Sequence, residues 1–330
     1  MISSHRMLRG ARRLSPWILA AIFLTAAGAM ALDYAFLVFE PRRDNILARR
    51  RETHRRIIDH THNDPERYRV LVPFALEPPI RALARVMPYE KAFDRVYAVF
   101  YVATLTAILW SLFAYLRRWF SETEALVGSL VVASTMTINL KEFYLAWSLL
   151  EPIFTALVLL WAMDGQRFRI AVLLAVAAFN RETALFLVML YLAVAGLGRR
   201  DVVFSLACLA MVTSILVGIR LWTGLGPRFY TVSFLWQLNR MPVNYWITAA
   251  QTPAFLGAFW LFAALGWRHA PSFIRRSAII VPPYVLAFAI WGLWHWTRAW
   301  MTLYPIFVPL ALCHLFVPRD TPLLPGQLAS

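Results

Sequence analysis

The carboxylates of this chain are unevenly placed. Of its 18 acidic residues, nine lie between Glu40 and Asp94. Two of these, Asp59 and Asp64, flank the pair His60 and His62. A carboxylate held at a membrane surface can act as general base toward a hydroxyl, with its pKa tuned by neighbouring arginines. Asp64 also precedes Pro65-Glu66, a common helix start, so an N-cap is the competing role for it, and Asp59 has the same alternative. His60, His62 and Asp64, with His54 nearby, carry donors for a divalent metal. Their spacing of two suits an extended strand, however, and no second cluster completes the set, so a solvated histidine pair is the plainer expectation.

Cations come next. Arg67, Arg69 and Arg181, with Tyr68 between the first two, have the chemistry to clamp a phosphate or pyrophosphate through forked contacts. Arg181-Glu182 interrupts an apolar stretch, where an ionisable pair marks a site or neutralises itself. His295 and Arg298 sit between the last two apolar runs, beside Trp294, Trp296 and Trp300. An interfacial aromatic belt would explain that turn equally well. Asp33 and Glu151, near the ends of apolar runs, are expected at an interface, with Asp33 a secondary candidate for a site acid. There is no Walker A loop, dinucleotide fingerprint or nucleophile elbow, which argues against a nucleotide as direct donor.

These residues must be positioned by a chain that is 60% hydrophobic and 15% charged. A soluble domain runs near a quarter charged, so the solvent expected here is a bilayer. Ten apolar runs can be counted: Trp17–Phe39, Val96–Leu116, Ala125–Ile138, Leu145–Met163, Ile170–Ala178, Thr183–Leu197, Val202–Leu221, Pro253–Leu265, Ala278–Trp294 and Trp300–Phe316. The expected fold is all-α and polytopic, with about ten spans in one transmembrane domain. The two runs meeting at Asn180-Arg181-Glu182 are short, as for half-depth or tilted helices. Ala27-Gly28-Ala29 resembles a signal-peptide cleavage site, but the apolar run continues past it, which favours an uncleaved first helix. Residues 1–39 form the basic tail and first helix, 40–95 an outer loop, 96–317 the remaining spans and 318–330 an unstructured cytoplasmic tail. Within the loop, Asp44–His60 suits a polar helix on the membrane surface. Pro78–Met87 suits a second helix with Arg81 and Arg85 on one face.

The net charge is +15, and all but two of the 33 basic residues are arginine. No nucleic-acid motif accompanies this charge, so anionic lipid headgroups or a phosphorylated ligand are the expected partners. Arg117-Arg118, Arg167–Arg169, Arg199-Arg200 and Arg268–Arg276 fall in short loops on the side of the basic N-terminus. The positive-inside rule makes that side cytoplasmic in a cell inner membrane. Cys208 and Cys313 lie within apolar runs as small buried hydrophobes.

Three strings carry a resemblance: Asp64, Tyr68, Arg69, Leu71 and Pro73 in Asp-x-x-x-Tyr-Arg-x-Leu-x-Pro; Arg181–Leu185, Arg-Glu-Thr-Ala-Leu; and Arg298, Trp300 and Pro305 in a late Arg-x-Trp…Pro element. With a first helix followed by a long outer loop and many spans, the chain resembles the GT-C superfamily of integral-membrane glycosyltransferases of the cell envelope. The resemblance implies two juxtamembrane helices in the first outer loop. It also implies hexosyl or pentosyl transfer from a polyprenyl-phosphate donor to an acceptor at the outer face. Asp64 or Asp59 would be the base, and Arg69 and Arg181 would hold the donor phosphate. The chain departs from many members in lacking an acidic pair close behind the first helix. Two other classes stand beside this one. A transporter or lipid flippase would want inverted repeats and paired broken helices, of which one interrupted segment is found. A non-catalytic assembly partner would use the arginine-rich loop for docking.

Overall fold

A computed structural model describes residues 15–37, 43–139, 146–224, 231–243, 246, 257–293 and 297–319. Of these, 83% are helical and none forms a strand, as the long apolar runs require. Among the described residues, four helical segments are long and apolar enough to cross a membrane: Tyr89–Leu116, Ala146–Met163, Arg199–Thr223 and Ser272–Trp291. Large apolar side chains project outward from several helices, including Trp17 at 85% exposure and Leu221 at 79%. A soluble surface does not carry that much bare hydrocarbon, whereas a lipid-facing one must. The chain is a membrane protein.

The helices run α1 Pro16–Leu37, α2 Arg43–Ile58, α3 Leu71–Leu83, α4 Tyr89–Leu116, α5 Glu122–Asn139, α6 Ala146–Met163 and α7 Arg167–Asn180. They continue as α8 Ala184–Ala195, α9 Arg199–Thr223, α10 Val232–Arg240, α11 Phe259–Gly266, α12 Ser272–Ser277, α13 Val281–Trp291 and α14 Tyr304–Leu315. α4 and α6 lie at the centre. α4 packs on α1, α3, α5 and α6 through buried residues that recur at helical spacing, among them Tyr97, Tyr101, Leu105 and Leu112. α6 also takes α7, α8 and a 3₁₀ stretch at Thr297–Leu303, while α9 packs against α7 and α8. Ser121 and Glu124 form a reciprocal cap that starts α5: Ser121 N donates to Glu124 Oε2 at 2.7 Å, and Glu124 N to Ser121 Oγ at 3.4 Å.

Several boundaries differ from the sequence expectation. α4 begins at Tyr89, because extended Pro88 ends the preceding turn and the charged residues Glu90, Lys91, Asp94 and Arg95 fill the first two helical turns. The second loop helix is Leu71–Leu83 and not Pro78–Met87; it carries Pro78 and Pro79 inside it and ends before Arg85. Arg81 and Arg85 therefore share no helix face. The first loop helix matches its expected place. The tail is tied down at its start, where Arg319 Nη1 donates to Arg117 O and Phe120 O at 3.0 and 2.9 Å. Positions 320–330 are outside the described residues.

The break between α7 and α8 is present, and those helices have only 14 and 12 residues. At 1.5 Å per residue they reach about 21 and 18 Å, short of a hydrocarbon core of about 30 Å. The polar tip between them is therefore covered by protein, as described below. At the opposite end of the bundle, Arg118 Nη2 reaches both carboxylate oxygens of Asp164 at 2.9 and 3.0 Å, and Arg167 pairs with Asp201 at 2.8 Å.

α11 and α14 cross at Gly266. A Cβ there would sit 1.9 Å from Leu310 O, so only glycine lets the two backbones approach. Gly266→Ala is expected to destabilise the protein by about 1–3 kcal/mol, as overpacking does. The check is the thermal midpoint in detergent, with Gly28→Ala as a control because a Cβ at Gly28 meets nothing within 4 Å.

Candidate functional site

Four segments converge at one end of the bundle: the loop after α2, the start of α6, the break between α7 and α8, and the 3₁₀ stretch Thr297–Leu303. The loop turns at His60, whose φ of 54° is left-handed, and then forms a 3₁₀ turn at Glu66–Tyr68. Asp64 is not the helix cap. No side chain caps that turn, and Asp64 Oδ2 instead accepts from Tyr68 OH at 2.8 Å. Its other oxygen, Oδ1, is buried and takes no hydrogen bond among the described residues. Asp59, by contrast, points to solvent just past the end of α2 and pairs with Arg55 in the last turn of that helix at 3.6 Å.

Arg69 follows directly and is 5% exposed. Its guanidinium lies over the Trp147 ring at 4.8 Å, with Nη1 3.6 Å from Glu66 Oε1. That distance is an ion pair but not a hydrogen bond, and both Nε and Nη1 are buried donors without an acceptor among the described residues. Burial, with Arg181 and Arg298 adding their charges, pushes Arg69 down to about 10, which leaves it cationic at neutral pH.

Arg181 does not neutralise itself against Glu182. Its partner is Glu151 on α6, with Arg181 Nη1 3.0 Å from Glu151 Oε1. Thr183 Oγ1 donates to the same oxygen at 3.0 Å, and Thr302 Oγ1 donates to Oε2. Glu151 is therefore no interface residue. It is 3% exposed and serves as the hub of the end of the bundle. Asn180 Nδ2 donates to Trp147 O at 2.9 Å, which ties the end of α7 to the start of α6. A small cavity borders Glu151, Asn180, Thr183 and Thr302. Arg298 is buried in the same group. Glu182 faces α9, where Arg220 Nη2 is 3.8 Å away and lies with its guanidinium 5.3 Å from the centroid of the Tyr68 ring.

Of the arginines expected from sequence, the structure gathers Arg69, Arg181 and Arg298 and diverts Arg67. Arg67 Nη2 donates to Thr223 O and holds the end of α9. His60 packs edge-on against Trp222 at 4.5 Å, and His62 Nδ1 lies 3.1 Å from Asn63 O. No group of three or more His, Cys, Asp or Glu converges to hold a metal among the described residues. His295, Trp294 and Trp296 lie outside the described residues, as does the side chain of Asp33. Sequence reasoning underrated Glu151, although a carboxylate within the apolar run of α6 was the available signal. It also missed Trp147, Thr302 and Arg220, for which no sequence signal exists.

A second polar cluster fastens the loop helices. His54, fully buried on α2, has Nε2 2.9 Å from Glu77 Oε2 on α3 and Nδ1 2.8 Å from Tyr97 OH on α4. A carboxylate only accepts, so Nε2 carries the proton and Nδ1 accepts from the tyrosine. Arg81 and Tyr89 complete the bonding of Glu77. Burial lowers the His54 pKa below 6.5, outweighing the pull of Glu77. The unfolded chain therefore takes up this proton first. The stability contributed by neutral His54 is full above about pH 6.5 and is lost as the pH falls below it. Hydrogen bonds from Arg81 and His54 outweigh burial at Glu77 and hold it below the usual carboxylate range, so its contribution is lost only in stronger acid. The thermal midpoint is expected to fall between pH 7.5 and 5.5. His54→Gln, which preserves both hydrogen bonds, should flatten that dependence.

No protein-family model, curated protein or solved structure matches the chain.

Proposed function

We propose that this chain is a GT-C-like membrane glycosyltransferase. It moves a hexosyl or pentosyl group from a polyprenyl-phosphate donor to an acceptor hydroxyl at the outer face of the inner membrane. The observation that carries this reading is Arg69: a buried guanidinium with two unfilled N–H donors, beside Arg181 and Arg298, close in sequence to a carboxylate with a free buried oxygen. A phosphate supplies the acceptors that those donors lack. In the proposed step, Asp64 takes the proton of the acceptor hydroxyl as its oxygen bonds to the anomeric carbon. The bond from that carbon to the phosphate oxygen breaks, and the oxygen leaves with the electron pair. The arginines stabilise the charge that develops on the departing polyprenyl phosphate.

About ten crossings with the N-terminus in the cytoplasm suit this arrangement. The short basic loops then lie at the end opposite the site, where Arg118 and Arg167 form their ion pairs. The test is the purified chain in lipid vesicles with radiolabelled polyprenyl-phosphate hexose and pentose plus an envelope-glycan acceptor. An enzyme consumes the donor and labels the acceptor. A flippase would redistribute the donor between leaflets without consuming it, and an assembly partner would leave it untouched; either result rejects the proposal.

A further inference from the structure

We infer that Glu151 is a positioning residue that sets the orientation and the effective charge of Arg181, and so tempers the grip of the site on its anion. This rests on the phosphate reading of the arginine group. The Glu151 carboxylate is held by two separate segments. Arg181 and Thr183 reach Oε1 at 3.0 Å from the break between α7 and α8, and Thr302 reaches Oε2 from the 3₁₀ stretch. Tyr284 on α13 braces that last contact, with its OH 2.6 Å from Ala299 O and 3.3 Å from Thr302 Oγ1. The carboxylate cannot swing without breaking bonds to both segments. One edge of the Arg181 fork is thereby occupied, and its remaining donors are aimed by a fixed anchor.

The charge of Glu151 matters as much as its position. At 3% exposure its interaction with Arg181 is little screened by water. A bound phosphate near Arg181 also feels the repulsion of the carboxylate behind it. An enzyme that binds a polyprenyl phosphodiester and must release the more highly charged phosphate monoester gains from that balance. Without that carboxylate, the full charge of Arg181 would act on the product and hold it.

The test measures equilibrium binding of inorganic pyrophosphate and of a short-chain polyprenyl phosphate to the full-length protein in detergent. Glu151→Gln keeps the shape and removes the charge, and it is expected to tighten binding about tenfold, the scale of one unit charge at this range. Glu151→Asp keeps the charge and should stay near wild-type affinity. A merely structural glutamate predicts unchanged or weaker binding in the Gln variant, which would overturn the inference. A cycle with Arg181 guards against a variant that does not fold. Arg181→Gln leaves the carboxylate facing the anion and should weaken binding at least about tenfold, and adding Glu151→Gln should restore most of the loss, because both charges of the pair are then gone. Equal affinity for the Arg181→Gln single variant and the double variant would overturn the inference. If the wild-type chain binds neither probe, the phosphate reading itself fails, independently of Glu151.

Discussion

Asp64→Asn should lower sugar transfer by about 10² to 10⁴-fold, the usual worth of a positioned general base, with protein abundance in the membrane unchanged. The amide oxygen still accepts the hydrogen bond from Tyr68 OH, which in the native protein holds Oδ2 at 2.8 Å, so the loop keeps its shape. What disappears is the free buried oxygen Oδ1 as a proton acceptor. The parallel variant is Asp59→Asn. Asp59 is solvent-exposed and paired with Arg55 in the last turn of α2, and that variant is expected to keep most of the activity. Transfer assays on both variants in the same membranes separate the candidates. Loss with Asp59→Asn and retention with Asp64→Asn would move the role to Asp59. Retention in both would leave the proposed mechanism without a base.

Arg69→Gln is expected to raise the donor KM and lower transfer together by about 10² to 10³-fold, as removal of a preorganised oxyanion donor does. The side chain is anchored by the Trp147 ring beneath it, so its free N–H groups face a fixed direction before any ligand arrives. Arg69→Lys preserves the charge but not the fork or the stacking, and it should recover only part of the loss. Arg220→Gln is the internal comparison. Arg220 is half-exposed and sits 3.8 Å from Glu182, so its removal should change donor binding less than about tenfold. A donor KM in Arg69→Gln equal to that of the native protein would take Arg69 out of the phosphate site.

Much of the architecture was legible before any coordinates. Uninterrupted apolar runs can only be helices in a bilayer, because every backbone polar group must be satisfied within the segment. Residues 44–60 announced themselves as a polar helix, observed at 43–58, and the short runs on either side of Asn180 as a broken pair. Boundaries were less legible. The second loop helix was expected from Pro78 but begins at Leu71, with Pro78 and Pro79 inside it, and packs against α4. The charged start of α4 looked like loop because polarity tracks exposure, not helicity.

The site divides in the same way. Arg181 stood out in the sequence because an ionised group among apolar neighbours needs a partner or a ligand, whatever the fold, and Arg69 because a forked cation beside other arginines suits a phosphate. Which partner it takes depends on distance in space. Glu182 is adjacent to Arg181 in the chain, yet the turn sends the two side chains to different helices, Arg181 to α6 and Glu182 to α9. Glu151 lies 30 positions before Arg181 and becomes its counter-ion only because α6 and α7 pack together. Asp64 looked like a helix cap by its neighbours and proved to be bonded to Tyr68. His54 looked like one more polar residue on a solvated helix until α3 and α4 closed over it. Composition and charge alone therefore determined that this is a helical membrane protein with an unusually charged stretch after its first helix. Tertiary packing decided which of those charges are neutralised and which keep unfilled donors, because burial and pairing belong to neighbours in space.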